Sequence, residues 1–421
     1  MPDLAPRAAA PSFKNALGLW WRLGWISFGG PTGQIAIMHE ELVVRKKWVE
    51  EEAFLHALNF CMMLPGPEAQ QLATFLGWRL HGTRGALSAG LLFILPAVFI
   101  LWALSLIYAL YGTVPLVAAA FSGLIPAVLA IVLRALLQLG RRTLDRPLFG
   151  LIAVIAALIV SFSRESYPVI VLGAGVLGWI VRDRGPAKSK PRNLPPIRLV
   201  PLLSTGATCL LAWWLPVLFA LWLLGPASTI TREGLFFSKA ALVSFGGAYS
   251  LLPYVAHHAV DQLHWLGTND MMHGLGLAES TPGPLIMVLQ FVGFLGAWHR
   301  PGVLSPLCAA TLGSLITTWV TFAPSFLFIL VGGPFVERLT HVVALQSALR
   351  AISAAVVGVM ASFAIWFGAH AIFPGQRYDR PDFFVIVLAA GALVALYRWR
   401  ISVLALLAIC AGLGVAARAI F

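Results

Sequence analysis

The sequence predicts an all-α polytopic membrane protein built from two homologous halves, and three observations lead there. Apolar residues make up 59% of the 421 and charged residues only 11%, against about 25% charged in a soluble domain. The mean hydropathy is +0.85. Runs approaching or exceeding the roughly 20 apolar residues needed to cross a bilayer core recur along the whole chain, and short motifs of the first half return in the second at one constant spacing.

By span length, about thirteen transmembrane segments are expected: 17–38, 54–78, 86–111, 115–139, 148–162, 167–181, 201–224, 234–256, 271–298, 303–330, 342–373, 383–397 and 401–421. Several contain Gly or Pro and are expected to be broken helices. The leading segment from Met1 to Lys14 is polar and Pro-rich, without the apolar core of a signal peptide. Insertion is therefore expected to start with the first span.

The formal charge of +12 does not indicate a nucleic-acid partner. Lys and Arg are spread through short loops between apolar runs, as cytoplasmic loops require. The densest group is Arg182, Arg184, Lys188, Lys190, Arg192 and Arg198. Placing it in the cytoplasm also puts the N-terminus, the Arg79/Arg84 loop, the Arg141/Arg142/Arg146 loop and the Arg398/Arg400 turn inside, and the C-terminus outside. Arg45-Lys46-Lys47 is the exception on the outer face, offset by Glu40, Glu41, Glu50, Glu51 and Glu52. The bilayer is the expected surrounding.

Cys61, Cys209, Cys308 and Cys410 lie far apart inside apolar stretches, which suits buried thiols and offers no metal-ligand spacing. His257, His258, Asp261, His264, Asp270 and His273 fall in an expected loop and read as a solvated or headgroup-facing segment. No metal and no cofactor are expected. No nucleophile elbow, phosphate loop or zinc-protease motif occurs, so the chain reads as a non-enzyme.

Ser27-Phe28-Gly29-Gly30 returns as Ser244-Phe245-Gly246-Gly247, an offset of 217 in residue number (244 − 27). Pro65-Gly66-Pro67 returns as Pro282-Gly283-Pro284 at the same offset. So do Trp48 as Trp265, Gly85-Ala86-Leu87-Ser88 as Gly302-Val303-Leu304-Ser305, and Arg22 as Lys239. The chain thus divides into a first repeat at 1–181 with about six spans, a basic cytoplasmic linker plus connecting span at 182–232, and a second repeat at 233–421 with about six spans. The odd span between them predicts inverted repeats, an architecture of secondary transporters.

Both repeated motifs break helices at membrane depth. Gly permits positive φ, and Pro removes backbone donors. Such backbone is tolerated only when buried in protein or lining an aqueous cavity. Each break also starts a new helix, whose free N–H groups and positive dipole end favour an anion. The candidate substrate-binding residues are therefore Gly29, Gly30, Pro65, Gly66, Pro67, Gly246, Gly247, Pro282, Gly283 and Pro284. The polar side chains near them, Thr32, Gln34, Gln70, Gln71, Ser250 and Thr281, join the set. Arg22 and Lys239, each six residues before a Phe-Gly-Gly break, are candidate cations for a dianion; an intramembrane cation is costly and points to function. Glu68 and Glu279 are candidate ion-coupling carboxylates.

Phe28-Gly29-Gly30-Pro31-Thr32-Gly33-Gln34-Ile35-Ala36, with Leu64-Pro65-Gly66-Pro67-Glu68-Ala69-Gln70-Gln71-Leu72-Ala73, closely resembles the chromate ion transporter family in its long, two-domain form. The resemblance implies a bacterial inner-membrane protein that expels chromate and confers chromate resistance. The second half departs from the first where Pro31 becomes Ala248, Gln34 becomes Leu251 and Glu68 becomes Leu285, so equal roles for the halves do not follow. Chromate and sulfate share charge and shape. A carrier of sulfate or another oxyanion, and an anion channel, stay open at this point.

Overall fold

The computed structural model describes residues 11–162, 167–181, 199–336, 342–374, 380–399 and 401–420, and every regular element among them is helical. The basic linker 182–198 and Arg400 lie outside the described residues. Five helices are long and apolar enough to cross a membrane: Glu68–Tyr111, Pro115–Thr143, Val200–Leu224, Pro306–Phe335 and Val343–Ile372. Shorter apolar helices include Pro147–Phe162, Tyr167–Ile180 and Phe383–Trp399. Large apolar side chains on the outer faces are bare, among them Leu203, Leu211, Leu215 and Trp222. An apolar surface of that extent suits lipid rather than water.

The first half opens with α1 (Phe13–Ile26), capped by the Ser12 hydroxyl, which accepts the Asn15 amide at 3.3 Å. It continues through α2 (Gly30–His39), α3 (Glu51–Cys61) and α4 (Glu68–Tyr111). The Phe-Gly-Gly and Pro-Gly-Pro breaks turn the chain back on itself. Arg22 lies 3.6 Å from Glu41, whereas unbroken helix between the two would separate them by about 28 Å. The Phe60 and Phe75 rings meet at 5.6 Å across Pro65-Gly66-Pro67. Past that hairpin, α4 turns again at His81 and Gly82 (φ 62°), and its second arm packs against its first and against α1.

The second half repeats the pattern in α9 (Thr229–Leu242), α10 (Ala248–Ala256), α11 (Thr268–Ser280), α12 (Val288–His299) and α13 (Pro306–Gly332). Phe236 stacks on Tyr254 at 5.3 Å across the second Phe-Gly-Gly break. A Cβ on Gly274 would meet the Phe291 ring across the second Pro-Gly-Pro. The likeness extends to detail. A π-helical turn follows α2 at Glu40–Arg45 and α10 at His257–Gln262, in the register of the repeated motifs. The two non-glycine residues with positive φ among those described, Lys47 (52°) and His264 (47°), also keep that register.

The segments 17–38, 54–78, 234–256 and 271–298, expected as single spans, are therefore hairpins of half-length helices. The reason is local: glycines at positive φ (89° and 68° at Gly29 and Gly30, 122° at Gly66) reverse the backbone rather than kink it. Hydrophobic length alone does not distinguish a hairpin from a span.

The remaining helices interlock the halves. They are α5 (Pro115–Thr143), α6 (Pro147–Phe162), α7 (Tyr167–Ile180), α8 (Leu199–Leu224), α14 (Val343–Ile372), α15 (Phe383–Val394) and α16 (Val403–Ile420). α5 is clasped by α15 and α16 of the second half, and α14 by α6 and α7 of the first. Small residues permit the approach. An added Cβ would run into the Cys410 carbonyl at Gly123, the Ser347 carbonyl at Gly178 and the Ala153 carbonyl at Gly358.

Gly358→Leu should therefore lower the thermal unfolding midpoint in detergent, since overpacking costs about 1–3 kcal/mol. Gly150→Leu, where an added Cβ meets nothing within 4 Å, should leave it unchanged. Equal midpoints for the two variants would contradict this interface.

Candidate functional site

Four breaks meet at one place through two reciprocal hydrogen bonds. The Gly66 amide donates to the Ser244 carbonyl at 2.7 Å, and the Gly283 amide donates to the Ser27 carbonyl at 2.8 Å. Each Pro-Gly-Pro is thus tied to the Ser-Phe-Gly-Gly of the other half. Both Ser-Phe-Gly-Gly segments begin with the same tight turn, Phe28 N–H to the Ile26 carbonyl at 3.0 Å and Phe245 N–H to the Val243 carbonyl at 2.9 Å. Gly29 (φ 89°) and Gly247 (φ 87°) then start α2 and α10. Pro67 precedes the first residue of α4. The helix N-termini of both halves gather around this knot.

Two narrow clefts open beside it. One is lined by Gly29, Gly30, Ala278, Glu279, Thr281, Gly283 and Leu285. The other is lined by Pro31, Gln34, Pro67, Glu68, Ala69, Pro284, Leu285 and Ile286. Leu285 borders both. A Cβ on Gly247 would lie 3.7 Å from Glu68 Oε1, which joins the second Phe-Gly-Gly to the same region. Each half contributes one carboxylate: Glu279 beside the break that starts α2, Glu68 beside the break that starts α10.

The candidate polar side chains divide. Gln34, Gln70, Gln71 and Ser250 are fully buried. Gln34 donates to the Ser27 carbonyl at 3.3 Å and Gln71 to the Pro65 carbonyl at 2.7 Å, so both brace the breaks. Their Oε1 atoms and both polar atoms of Gln70 have no partner, and a buried unpaired polar group costs about 1–3 kcal/mol. Such groups are available to a ligand. Ser250 and Thr281 bond to the Gly247 and Ala278 carbonyls. Thr32 is exposed.

Arg22 and Lys239 line neither cleft. The Arg22 guanidinium is half-exposed and turns to Glu41, and exposed Lys239 interacts electrostatically with His258, the repeat counterpart of Glu41. The hairpin brings π-turn residues beside each cation, a proximity that six residues of helix rise did not foretell. His257 pairs with Asp261 at 2.9 Å on its π-turn. Among the described residues, no group of three or more His, Cys, Asp or Glu is placed to hold a metal.

Sequence reasoning passed over five residues here. The Ser27 and Ser244 hydroxyls are buried without partners, as is that of Ser325 of α13, which faces Gly66. Tyr249 donates to Glu279 Oε1 at 2.6 Å, and Arg134 of α5 interacts electrostatically with Tyr249. Two signals were present in the sequence. Ser27 and Ser244 head the repeated tetrapeptide, and Arg134 is the sole charged residue from 115 to 140.

Paired half-length helices thus meet end to end inside an apolar helical bundle built on an internal repeat. The chain matches the chromate transporter family over residues 15–179 and 232–415, and it belongs to that family. It is 30% identical over 415 residues to a chromate transport protein of Pseudomonas aeruginosa, covering 94% of this chain and 91% of that protein. A chromate transport protein of Cupriavidus metallidurans is 26% identical over 356 residues, covering 83% and 82%. A probable chromate transport protein of Synechococcus elongatus is 27% identical over 382 residues, covering 90% and 89%. No solved structure matches the chain.

Gly66→Ala and Gly283→Ala should each cost about 1–3 kcal/mol through backbone strain. The φ values there are 122° and 110°, and an added Cβ would meet Gln71 Nε2 at 2.7 Å and Ala97 Cβ at 2.6 Å. Thermal unfolding of the two variants beside Gly173→Ala, whose added Cβ meets nothing within 4 Å, checks this. A midpoint for either variant equal to that of Gly173→Ala would show that the knot tolerates a side chain.

Proposed function

We propose that this protein exports chromate, as the dianion, across the bacterial inner membrane and so confers chromate resistance. The observation that carries the reading is the meeting of helix N-termini and unpaired buried donors around the Gly66–Ser244 and Gly283–Ser27 bonds. Backbone amides and dipole ends favour an anion without the deep trap that several fixed cations would form. In this reading Gln70, Ser27 and Ser244 donate to oxyanion oxygens, and Arg134 supplies the nearby positive charge. Glu279 and Glu68 hold the helix ends while the anion is away. Arg22 and Lys239 gather anions at the outer ends of the hairpins.

The membrane potential suffices as a driving force. Moving one charge through 100 mV is worth about 2.3 kcal/mol, so a dianion leaving a cell that is negative inside gains about 4.6 kcal/mol. At about 1.4 kcal/mol per tenfold, that supports an outward gradient of more than a thousandfold. A family member that carries sulfate instead would use the same geometry, because the two ions share shape and charge.

The topology follows from treating the four hairpins as re-entrant. The second arm of α4, α5, α6, α7 and α8 then make five crossings before α9. That odd number inverts the second half, with the linker 182–198 in the cytoplasm and the C-terminus outside. Arg45-Lys46-Lys47 now falls on the cytoplasmic side, which removes the exception to the positive-inside pattern. Single cysteines replacing Lys46 and Arg84 should label from the cytoplasm, and those replacing Gln262 and Arg300 from outside. Labelling of Lys46→Cys and Gln262→Cys from one side would refute the inversion.

In proteoliposomes holding a potential, chromate should move toward the positive side at carrier rates, with sulfate and molybdate compared. Arg134→Ala should reduce that flux at least tenfold while the protein stays folded. Wild-type flux in Arg134→Ala would remove Arg134 from the site. Conductance far above carrier turnover would identify a channel, and no chromate flux in the wild-type protein would end the reading.

A further inference from the structure

Glu233, in the second turn of α9, has 0% of its surface exposed and no hydrogen-bond partner on either carboxyl oxygen. A Cβ on Gly296 of α12 would lie 2.7 Å from Oε1, and a Cβ on Gly313 of α13 would lie 2.7 Å from Oε2. The carboxyl group fills a slot that two glycines leave open between α9 and the α12–α13 hairpin. The internal repeat shows that the acid belongs to the second half alone. At the offset of the repeat, Glu233 corresponds to Ala16 and Gly296 to Arg79, whereas Gly313, which packs on Gly293 as Gly85 packs on Gly77, has a glycine counterpart in the first half.

Among the described residues, no charge faces the group. Arg232 and Lys239 on α9 are exposed, as are His299 and Arg300 at the end of α12. α8, α10 and α13 carry no charged residue. The turn beside the slot presents Trp265, packed on Gly296, while His264 bonds to the Val260 carbonyl. The buried hydroxyls of Ser314 and Thr317 on α13 are also unpartnered. An ionised carboxylate in so dry a place costs far more than the neutral acid.

We propose that Glu233 is a proton-binding site that couples proton movement to the transport cycle, an inference that rests on the transport reading above. With α9 seated, the carboxyl group holds its proton. Releasing it requires water in the slot, and water enters only when α9 parts from α12 and α13. The same helix runs directly into Ser244, whose carbonyl holds the Gly66 amide. Loss of the proton and loosening of the knot between the halves therefore draw on one motion. In the inverted topology the slot lies toward the external face, where protons are more abundant in an energised cell.

Two measurements on the full-length protein test this. Infrared spectra in lipid vesicles should show a protonated-carboxyl band that shifts slowly in D2O and is lost in Glu233→Gln, while Glu68→Gln and Glu279→Gln retain it. In proteoliposomes at zero potential, a proton gradient directed against chromate movement should accelerate wild-type flux. Glu233→Gln should lose at least tenfold of that acceleration and still bind chromate. Glu233→Ala, which installs the first half's residue in the slot, serves as the second variant. An unchanged band in both variants, a wild-type gradient response in both, or acceleration by sodium in place of protons would overturn the proposal. If the wild-type protein moves no chromate under potential or gradient, the transport reading fails, and the infrared band still decides the proton site.

Discussion

Backbone amides and carbonyls freed by a broken helix must find partners inside the protein, because a hydrocarbon surrounding offers none. Four such breaks lie within this bundle, and two of them are answered by the other two. The glycine amide of each Pro-Gly-Pro finds the serine carbonyl of the opposite Ser-Phe-Gly-Gly. Much of the architecture depends on this exchange. It requires both halves to be present, fixes their relative register, and holds four helix ends at one point. Neither half alone offers that pairing.

The packing around the knot serves the same end. α5 and α14 each pass into the grip of a helix pair from the opposite half, with glycines at contacts where an added Cβ would run into a backbone carbonyl. The halves are thus joined twice, by hydrogen bonds at the centre and by small-residue contacts outside it. α1 and α9 each touch a neighbouring hairpin, and each ends at a break. A change in the seating of either would reach the knot directly, which places the buried Glu233 on the path of any such movement.

The symmetry is real in backbone and imperfect in chemistry. π-turns, tight turns and the positive-φ residues of the breaks and π-turns keep the offset of the repeat, yet the carboxylates do not. Glu68 has Leu285 as its counterpart, Glu279 has Met62 and Glu233 has Ala16. Duplication supplies a scaffold with two equivalent ends, and these substitutions make the ends unequal. A carrier whose two faces do different work, one meeting the cytoplasm and one the exterior, has use for such inequality.

Composition, span length and repeated motifs by themselves determined that the chain is a helical membrane protein, internally duplicated and related to chromate transporters. They also located the four breaks, because Gly-Gly and Pro-Gly-Pro act on backbone geometry wherever they stand. Only the tertiary structure decided what the breaks do. An apolar run of membrane length looks the same whether it crosses a membrane or folds back at its middle, so hairpins and spans were indistinguishable until Phe60 met Phe75 and Phe236 met Tyr254. Side-chain direction was equally hidden. Arg22 and Lys239 stood at promising positions, yet the hairpins bring Arg22 to Glu41 and leave Lys239 exposed, within electrostatic reach of His258. Arg134, from a helix of the other half and remote from Tyr249 in sequence, comes within electrostatic reach of it instead. Spacing along a helix sets depth, and which face meets which partner is set by contacts between elements remote in the chain.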